Sequence, residues 1–298
     1  MAYTTINDPS AHFQGATYTG NVTNRTITND GNSDLQPDLI WFKNTATTND
    51  NEVFDSTRGK TRRLIINSTA IDADADTRVR DFNTDGFDCG TDPSANGDGN
   101  KMVANQWKAN GGSRTTNTES GNNPAGGYQA NTTAGFSIID YVGTGAAGTK
   151  THGLGAVPEM IWIKNKDQTD NWAVYHSKNT AAPETDYLVL NESDATVDDA
   201  AWWNDTAPTS SVFTVNTDHS VNADGENYIC YAWTGIQGYS KFGTYEGNGN
   251  SDGPFQYTGF KPRWVWLKDI DNENSLGWNS TDASTNRFMN PHIGRLFT

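Results

Sequence analysis

The phrase Pro37-Asp38-Leu39-Ile40-Trp41-Phe42-Lys43 returns as Pro158-Glu159-Met160-Ile161-Trp162-Ile163-Lys164 and as Pro262-Arg263-Trp264-Val265-Trp266-Leu267-Lys268. A chain that repeats one strand-like phrase in this way is an array of copies of one unit, and this constrains its fold more than any other feature. Flanking landmarks repeat as well. Tyr18-Thr19-Gly20, Tyr141-Val142-Gly143 and Tyr245-Glu246-Gly247 precede the three prolines by 19, 17 and 17 residues. Downstream, Asp55 and His176 both lie 18 residues past their prolines, and Asn279 takes that place one residue early. Phe87 precedes Trp107 by 20 residues, and Phe213 precedes Trp233 by 20. An Asn-x-Asp-Gly turn falls between each pair, Asn96 to Gly99 and Asn222 to Gly225. The third copy stops at Thr298 without such a second half, so either further sequence or another chain completes it.

Alternation along the phrase puts Leu39, Trp41 and Lys43 on one side of a strand and Ile40 and Phe42 on the other. Ile161 and Ile163, then Val265 and Leu267, fall on the inner side, with Trp162 and Trp266 on the side that ends in lysine. A strand apolar on both faces belongs in mid-sheet, or turns its tryptophan face to a neighbouring subunit. Clusters of Gly, Asn, Asp, Ser and Thr separate the strands, as at 29–34, 92–100 and 248–253. No dozen residues keep a helical period without such breakers. The expectation is an all-β protein of tandem antiparallel β-sandwich modules, jelly-roll or lectin-like, in two full copies plus a partial third. The boundaries read as an N-terminal arm at 1–12, module 1 at 13–110, a linker at 111–130, module 2 at 131–238 and the partial module at 239–298. The second and third modules join at Gly238-Tyr239-Ser240 with almost no spacer, which implies rigid packing.

Only 34% of the residues are hydrophobic but 11% are aromatic, so a few large rings supply much of the core. The net charge of −15, with no basic cluster, disfavours nucleic acid and anionic lipid as partners. Neither a signal peptide nor an apolar run of membrane-spanning length is visible, which predicts synthesis without export and no membrane insertion. Cys89 and Cys230 are the only cysteines and occupy non-equivalent places, which excludes a disulfide framework.

Several motifs fit chemistry by letters alone. Gly143 to Gly148 spells G-x-G-x-x-G but lacks the helix a dinucleotide loop needs. Gly249 to Gly253 spells G-x-S-x-G between two strands, not at a strand-to-helix elbow. Asp81, Asn83, Asp85 and Asp92 reproduce part of a calcium loop without its flanking helices, so they are candidates for adventitious calcium only, and no cofactor or structural metal is expected. Asp269, Asp271 and Glu273 form a second acidic loop. Asp55 is a nominal glycosidase carboxylate, but His176 and Asn279 at the same place suggest a polar strand end. For glycan stacking the candidate rings are Trp202 and Trp203, then Trp172, each weighed against a core role. Trp41, Lys43, Trp162, Lys164, Trp266 and Lys268 are the candidates for packing and symmetric self-association.

The phrases QANTTAGFSI, GLGAVPEMIWIKN, NWAVYHS, WNDTAPTSSVFTV, GYSKFGTYEGNG and TGFKPRWVWLK, with SDLQPDLIWFKN and FDSTRG near the start, resemble repeated β-sandwich modules in virion-associated proteins of marine tailed bacteriophages. The resemblance spans nearly the whole chain and brings no catalytic residues. It implies a non-enzymatic particle component, a tail fibre or receptor-binding subunit that contacts the host surface. The alternative is a capsid decoration or head-fibre protein anchored by the N-terminal arm. The partners implied are further copies of the chain (a homo-oligomer such as a trimer), other virion proteins and a host-surface glycan. A carbohydrate-active enzyme, the third reading, requires two carboxylates about 5–10 Å apart in a cleft.

Overall fold

The computed structural model describes residues 3–118, 120–250 and 252–271, together with the strands Trp278–Asp282, Arg287–Met289 and Leu296–Phe297. The described chain is all-β, and every pairing between strands is antiparallel.

The first copy contains β1 (Phe13–Thr19), β2 (Arg25–Ile27), β3 (Leu39–Asn44), β4 (Glu52–Asp55), β5 (Arg62–Ile65), β6 (Ala73–Asp74), β7 (Val79–Phe82), β8 (Phe87–Cys89) and β9 (Lys101–Trp107). They form a sheet of order β1-β9-β3-β4-β5-β6 and a smaller one, β2-β8-β7. The second copy contains β10 (Thr115–Asn117), β11 (Gly126–Asn131), β12 (Phe136–Val142), β13 (Gly148–Thr151), β14 (Met160–Asn165), β15 (Ala173–His176), β16 (Asp186–Val189), β17 (Val197–Asp198), β18 (Val212–Val215) and β19 (Asn227–Trp233). Its large sheet runs β10-β11-β12-β19-β14-β15-β16-β17, and β13 pairs with β18. From β12 onward this is the order of the first sheet, and the register agrees: Leu39 faces Trp107 as Met160 faces Trp233. The last copy forms β20 (Trp264–Lys268), β21 (Trp278–Asp282), β22 (Arg287–Met289) and β23 (Leu296–Phe297) in one meander.

The two-faced strand is realised as its alternation requires. Ile40 and Phe42 pack with Val79, Phe87 and Cys89 between the two sheets of the first copy. Ile161 and Ile163 do the same with Phe213 and Val215 in the second. Both strands lie mid-sheet, β3 between β9 and β4 and β14 between β19 and β15, and all their residues are buried. Burying such a row of large apolar side chains contributes roughly 1.5–3 kcal/mol for each against exposure.

The repeated Tyr-x-Gly and Asn-x-Asp-Gly landmarks prove to be two halves of one lock. Asp92 and Asp218 cap one-turn helices, Pro93–Asn96 and His219–Asn222, by accepting from Ser94 N and Ser220 N. Tyr18 and Tyr141 donate their hydroxyls to carbonyls of these turns, Ala95 O at 2.6 Å and Val221 O at 2.5 Å. Asn96 Nδ2 donates to Thr23 O and Gly90 O, both at 2.7 Å, and Asn222 Nδ2 to Asn216 O at 2.7 Å and Ala146 O at 2.8 Å. The glycines allow the approach, since a Cβ on Gly20 or Gly143 would lie 2.1 Å from the carbonyl oxygen of Gly97 or Ala223.

Three expectations need correction. The segment assigned as a linker, 111–130, contains β10 and β11, which extend the second sheet by pairing with β12. Its polar composition conceals strands because their stability comes from that pairing. The segment is also tied to the first copy: Asp38 accepts from Ala109 N, Gly111 N and Gly112 N, and Gln129 Nε2 donates to Ser56 Oγ and Thr57 Oγ1. The arm is no free anchor, because Ile6 is buried, Asp8 accepts from Ser33 Oγ at 2.6 Å, and Tyr3 donates to Gly259 O at 2.9 Å. In the last hairpin Asp282, not Asn279, occupies the register of Asp55 and His176, facing Trp264 as they face Leu39 and Met160. Cys89 and Cys230 are both buried, free thiols.

Candidate functional site

The tryptophan faces of the three copies turn toward one another within the chain. Trp41 and Trp162 are buried, with ring centroids 6.3 Å apart and edge-to-face. Trp266 completes the group at 5.9 Å from Trp41 and 4.4 Å from Trp162. Around it, Trp264 contacts Trp41 at 5.8 Å and Trp107 at 5.5 Å, and Trp233 contacts Trp162 at 4.6 Å. Leu39, Val53, Leu64, Ile138, Met160 and Val174 fill the remainder, so the three copies share one hydrophobic centre. Edge-to-face and tilted aromatic pairs add about 0.5–1.5 kcal/mol each beyond the area they bury. Trp41 Nε1 donates to Asn51 Oδ1 at 3.0 Å, whereas Trp162 Nε1 is buried with no hydrogen-bond partner among the described residues.

This geometry gives the Trp-Lys faces a packing role within the chain. Trp41, Trp162 and Trp266 are brought together by their own chain, Trp41 and Trp162 buried and Trp266 half-buried. Their lysines are not brought together. Lys43 donates to Asn49 O, and Lys164 donates to Asn165 O at 2.9 Å and Thr69 O at 3.2 Å. Burial pulls both amines down to about 8, against the opposing pull of Asp50 and Glu52 on Lys43 and of Asp170 on Lys164. Lys268 Nζ is buried with no hydrogen-bond partner among the described residues, and burial lowers its pKa too.

A polar knot crosses between the first two copies beside this centre. Tyr231 of β19 donates its hydroxyl to Asp55 Oδ2 at 2.6 Å, and Arg58 Nε meets the same oxygen at 2.5 Å. Arg58 also reaches Asp72 at 3.0 Å and Val53 O at 3.1 Å. Burial alone would weaken the guanidinium's hold on its proton, but Asp55, Tyr231 and Asp72 outweigh it and keep the group charged. The Tyr231 phenol is pushed well up by burial. Asp55, nominally a glycosidase carboxylate but read as a polar strand end, is fully buried and paired with Arg58, out of reach of any sugar. Arg58 and Tyr231 were missed because nothing local links residues 176 positions apart, as Tyr231 and Asp55 are. Trp172 adds a second cross-copy bond, its Nε1 donating to Ile65 O at 2.9 Å.

The glycan-stacking candidates are corrected by burial. Trp172, Trp202 and Trp203 are 0%, 5% and 2% exposed, so none offers a face to a sugar. Trp202 stacks on Tyr187 at 3.7 Å, and Trp203 Nε1 donates to Asp186 O at 3.0 Å. The one-turn helix Ala200–Trp203, capped by Asp199, rotates both rings into the sandwich. The calcium candidates do not converge either. Asp81 pairs with Lys60, Asp85 accepts from Leu35 N, Asn83 donates to Asp88, and Asp92 caps its helix and faces Arg78. No group of three or more His, Cys, Asp or Glu among the described residues is placed to hold a metal. Ser251 and Glu273, from two other motifs, lie outside the described residues. An open depression of about 560 Å³ is lined by Thr169, Asp170, Asp218, His219 and Ser220, with Asp218 accepting from Ser220 N and Asp170 from Ser220 Oγ. No helix among the described residues is long and apolar enough to cross a membrane.

No curated protein and no solved structure matches the chain. A family model does match, and it runs from residue 8 to residue 293, through all three copies of the tryptophan phrase and the centre they share. The chain belongs to this family, described as a domain of unknown function, DUF7483.

Proposed function

We propose that this protein is a non-enzymatic building block of a phage virion, a tail-fibre or host-surface-binding subunit. The observation that carries the reading is the shared tryptophan centre: three copies of a module pack large aromatic side chains against one another in one core. The wording of the repeats, similar to modules of phage particle proteins, supports the same role, as does an acidic composition that keeps such a body apart from nucleic acid. Self-association into a homo-oligomer, a trimer included, then uses surfaces other than the Trp-Lys faces. Host-glycan contact uses groups other than Trp172, Trp202 and Trp203. In the capsid-decoration alternative the arm would act from the surface of the body, where Ile6 is buried and Tyr3 is exposed.

Labelling purified particles with an antibody to this chain tests the reading. Label on tail fibres is the expected result. Label confined to the head would favour decoration. A chain absent from particles, or one that releases reducing ends from host polysaccharide, would overturn the proposal.

A further inference from the structure

The connector that leads from β19 into the third copy is held on the body by two histidines. It turns at 236–240, where Ile236 N donates to Ser240 O at 3.2 Å and Tyr239 N to Ile236 O at 2.9 Å. The arm crosses it at Gly238, since a Cβ there would lie 2.9 Å from that of Thr4. His12, at the end of the arm, meets the Tyr239 ring edge-to-face at 6.2 Å, and His176, at the end of β15, meets Phe242 in the same way at 6.1 Å. Phe242 in turn packs against the shared tryptophan centre.

Both imidazoles are fixed with a bare Nδ1. At His176 this nitrogen accepts from Lys178 N at 3.1 Å, and a main-chain N–H can only donate. At His12 it lies 3.0 Å from Asn131 Nδ2, and that amide has one orientation, because its Oδ1 accepts from Ala134 N while its Nδ2 also donates to Lys108 O. A proton on either Nδ1 sets donor against donor, so the ring has to turn away and give up its place against the connector. Most of the charges around the two rings favour the neutral form. Lys178 opposes a charge on His176, and Lys108 opposes one on His12, where only Asp8 favours it. Glu159, at the foot of the turn, accepts from Gly235 N at 2.6 Å, and burial pushes the Tyr239 phenol up so that it stays neutral. Lys241, the connector's own charge, donates to Tyr257 O.

We propose that His12 and His176 form a pH-sensitive clasp, which holds the connector on the body at neutral pH and lets it open on acidification while the sheets of the first two copies stay closed. Burial holds both rings below the ordinary 6.5, His176 down to about 4. The open connector therefore takes up protons that the closed one does not, so acid favours opening as pH falls from 6.5 toward 4, and the effect levels off below. Arg263 Nη2 donates to Gly15 O at 2.8 Å and Tyr3 to Gly259 O at 2.9 Å, bonds that do not titrate in this range. They tether the chain beyond the connector, which makes the clasp a hinge. The inference does not rest on the virion reading.

The test is amide exchange of the full 298-residue chain at about pH 7 and about pH 5, corrected for the intrinsic rate at each. Residues 236–242 should lose at least about tenfold in protection at the lower pH, against less than about threefold for residues 228–233 of β19. His12→Asn and His176→Asn keep an acceptor close to each Nδ1 position and remove the titrating group. Either variant alone should reduce the loss, and the two together should abolish it. The proposal fails if residues 236–242 of the parent chain are equally protected at both pH values, or if residues 228–233 lose as much. It fails too if the double variant opens as far as the parent.

Discussion

The phrase that is fully buried as β3 and β14 is half-buried as β20, although its letters hardly change. What differs is the company. β3 and β14 have strands on both edges and a second sheet over Ile40 and Phe42, or Ile161 and Ile163; β20 has β21 on one edge and the other tryptophans on one face. Burial is thus a property of the assembled neighbours more than of the strand, and mutations at equivalent positions should separate the copies. Trp41→Ala should cost about 3–5 kcal/mol in urea denaturation, the usual penalty for emptying a buried aromatic site, and Trp266→Ala about 1–2 kcal/mol. Equal losses would show that the third phrase is as deeply embedded as the first.

Glycine positions sharpen the contrast. Gly20→Val forces a side chain into the Gly97 carbonyl and should cost about 3 kcal/mol, while Gly247→Val should stay within about 0.5 kcal/mol. The measurement is the denaturation midpoint at constant m-value.

The register shared by Asp55 and His176 offers a third comparison. Asp55 anchors the knot to Tyr231, so Tyr231→Phe should cost about 1–2 kcal/mol through the lost bond to a carboxylate. His176 has no such partner. Burial, reinforced by Lys178, holds its pKa down to about 4, against an ordinary 6.5. Between those values the unfolded chain takes up a proton that the folded chain does not, so stability falls as pH drops from 6.5 toward 4 and levels off below. His152 and His12 are depressed in the same direction, chiefly by burial, and contribute to the same slope. His176→Gln should flatten part of it, measured as the difference from the parent chain across this window; an identical slope would count against a buried neutral imidazole.

The legible parts of the fold were those written in local alternation. Ile40 and Phe42 against Leu39 and Trp41 specify a strand with two buried faces, whichever elements bury them. The Tyr-x-Gly and Asn-x-Asp-Gly spacings were visible as landmarks, but their mutual lock was not, because Tyr18 and Ala95 are 77 residues apart and periodicity carries no pairing information. Residues 111–130 read as a spacer because Gly, Asn and Thr signal turns, and the strand character of 126–131 comes from its partner β12. Trp202 and Trp203 sit among acidic residues and look exposed in one dimension. A capped single turn suffices to rotate them into the core. The destination of the tryptophan faces was the least legible, since a neighbouring subunit and a neighbouring copy present the same chemistry to an apolar strand.

The central claim is that tryptophans from separate copies of one chain share one core. A double-mutant cycle on Trp162 and Trp266, whose centroids lie 4.4 Å apart, tests it most directly. Unfolding free energies of both single mutants and the double mutant are compared at two protein concentrations. The account requires a coupling of about 0.5–1.5 kcal/mol that does not change with concentration. Additivity within about 0.3 kcal/mol, or a coupling that appears only at the higher concentration, would contradict it.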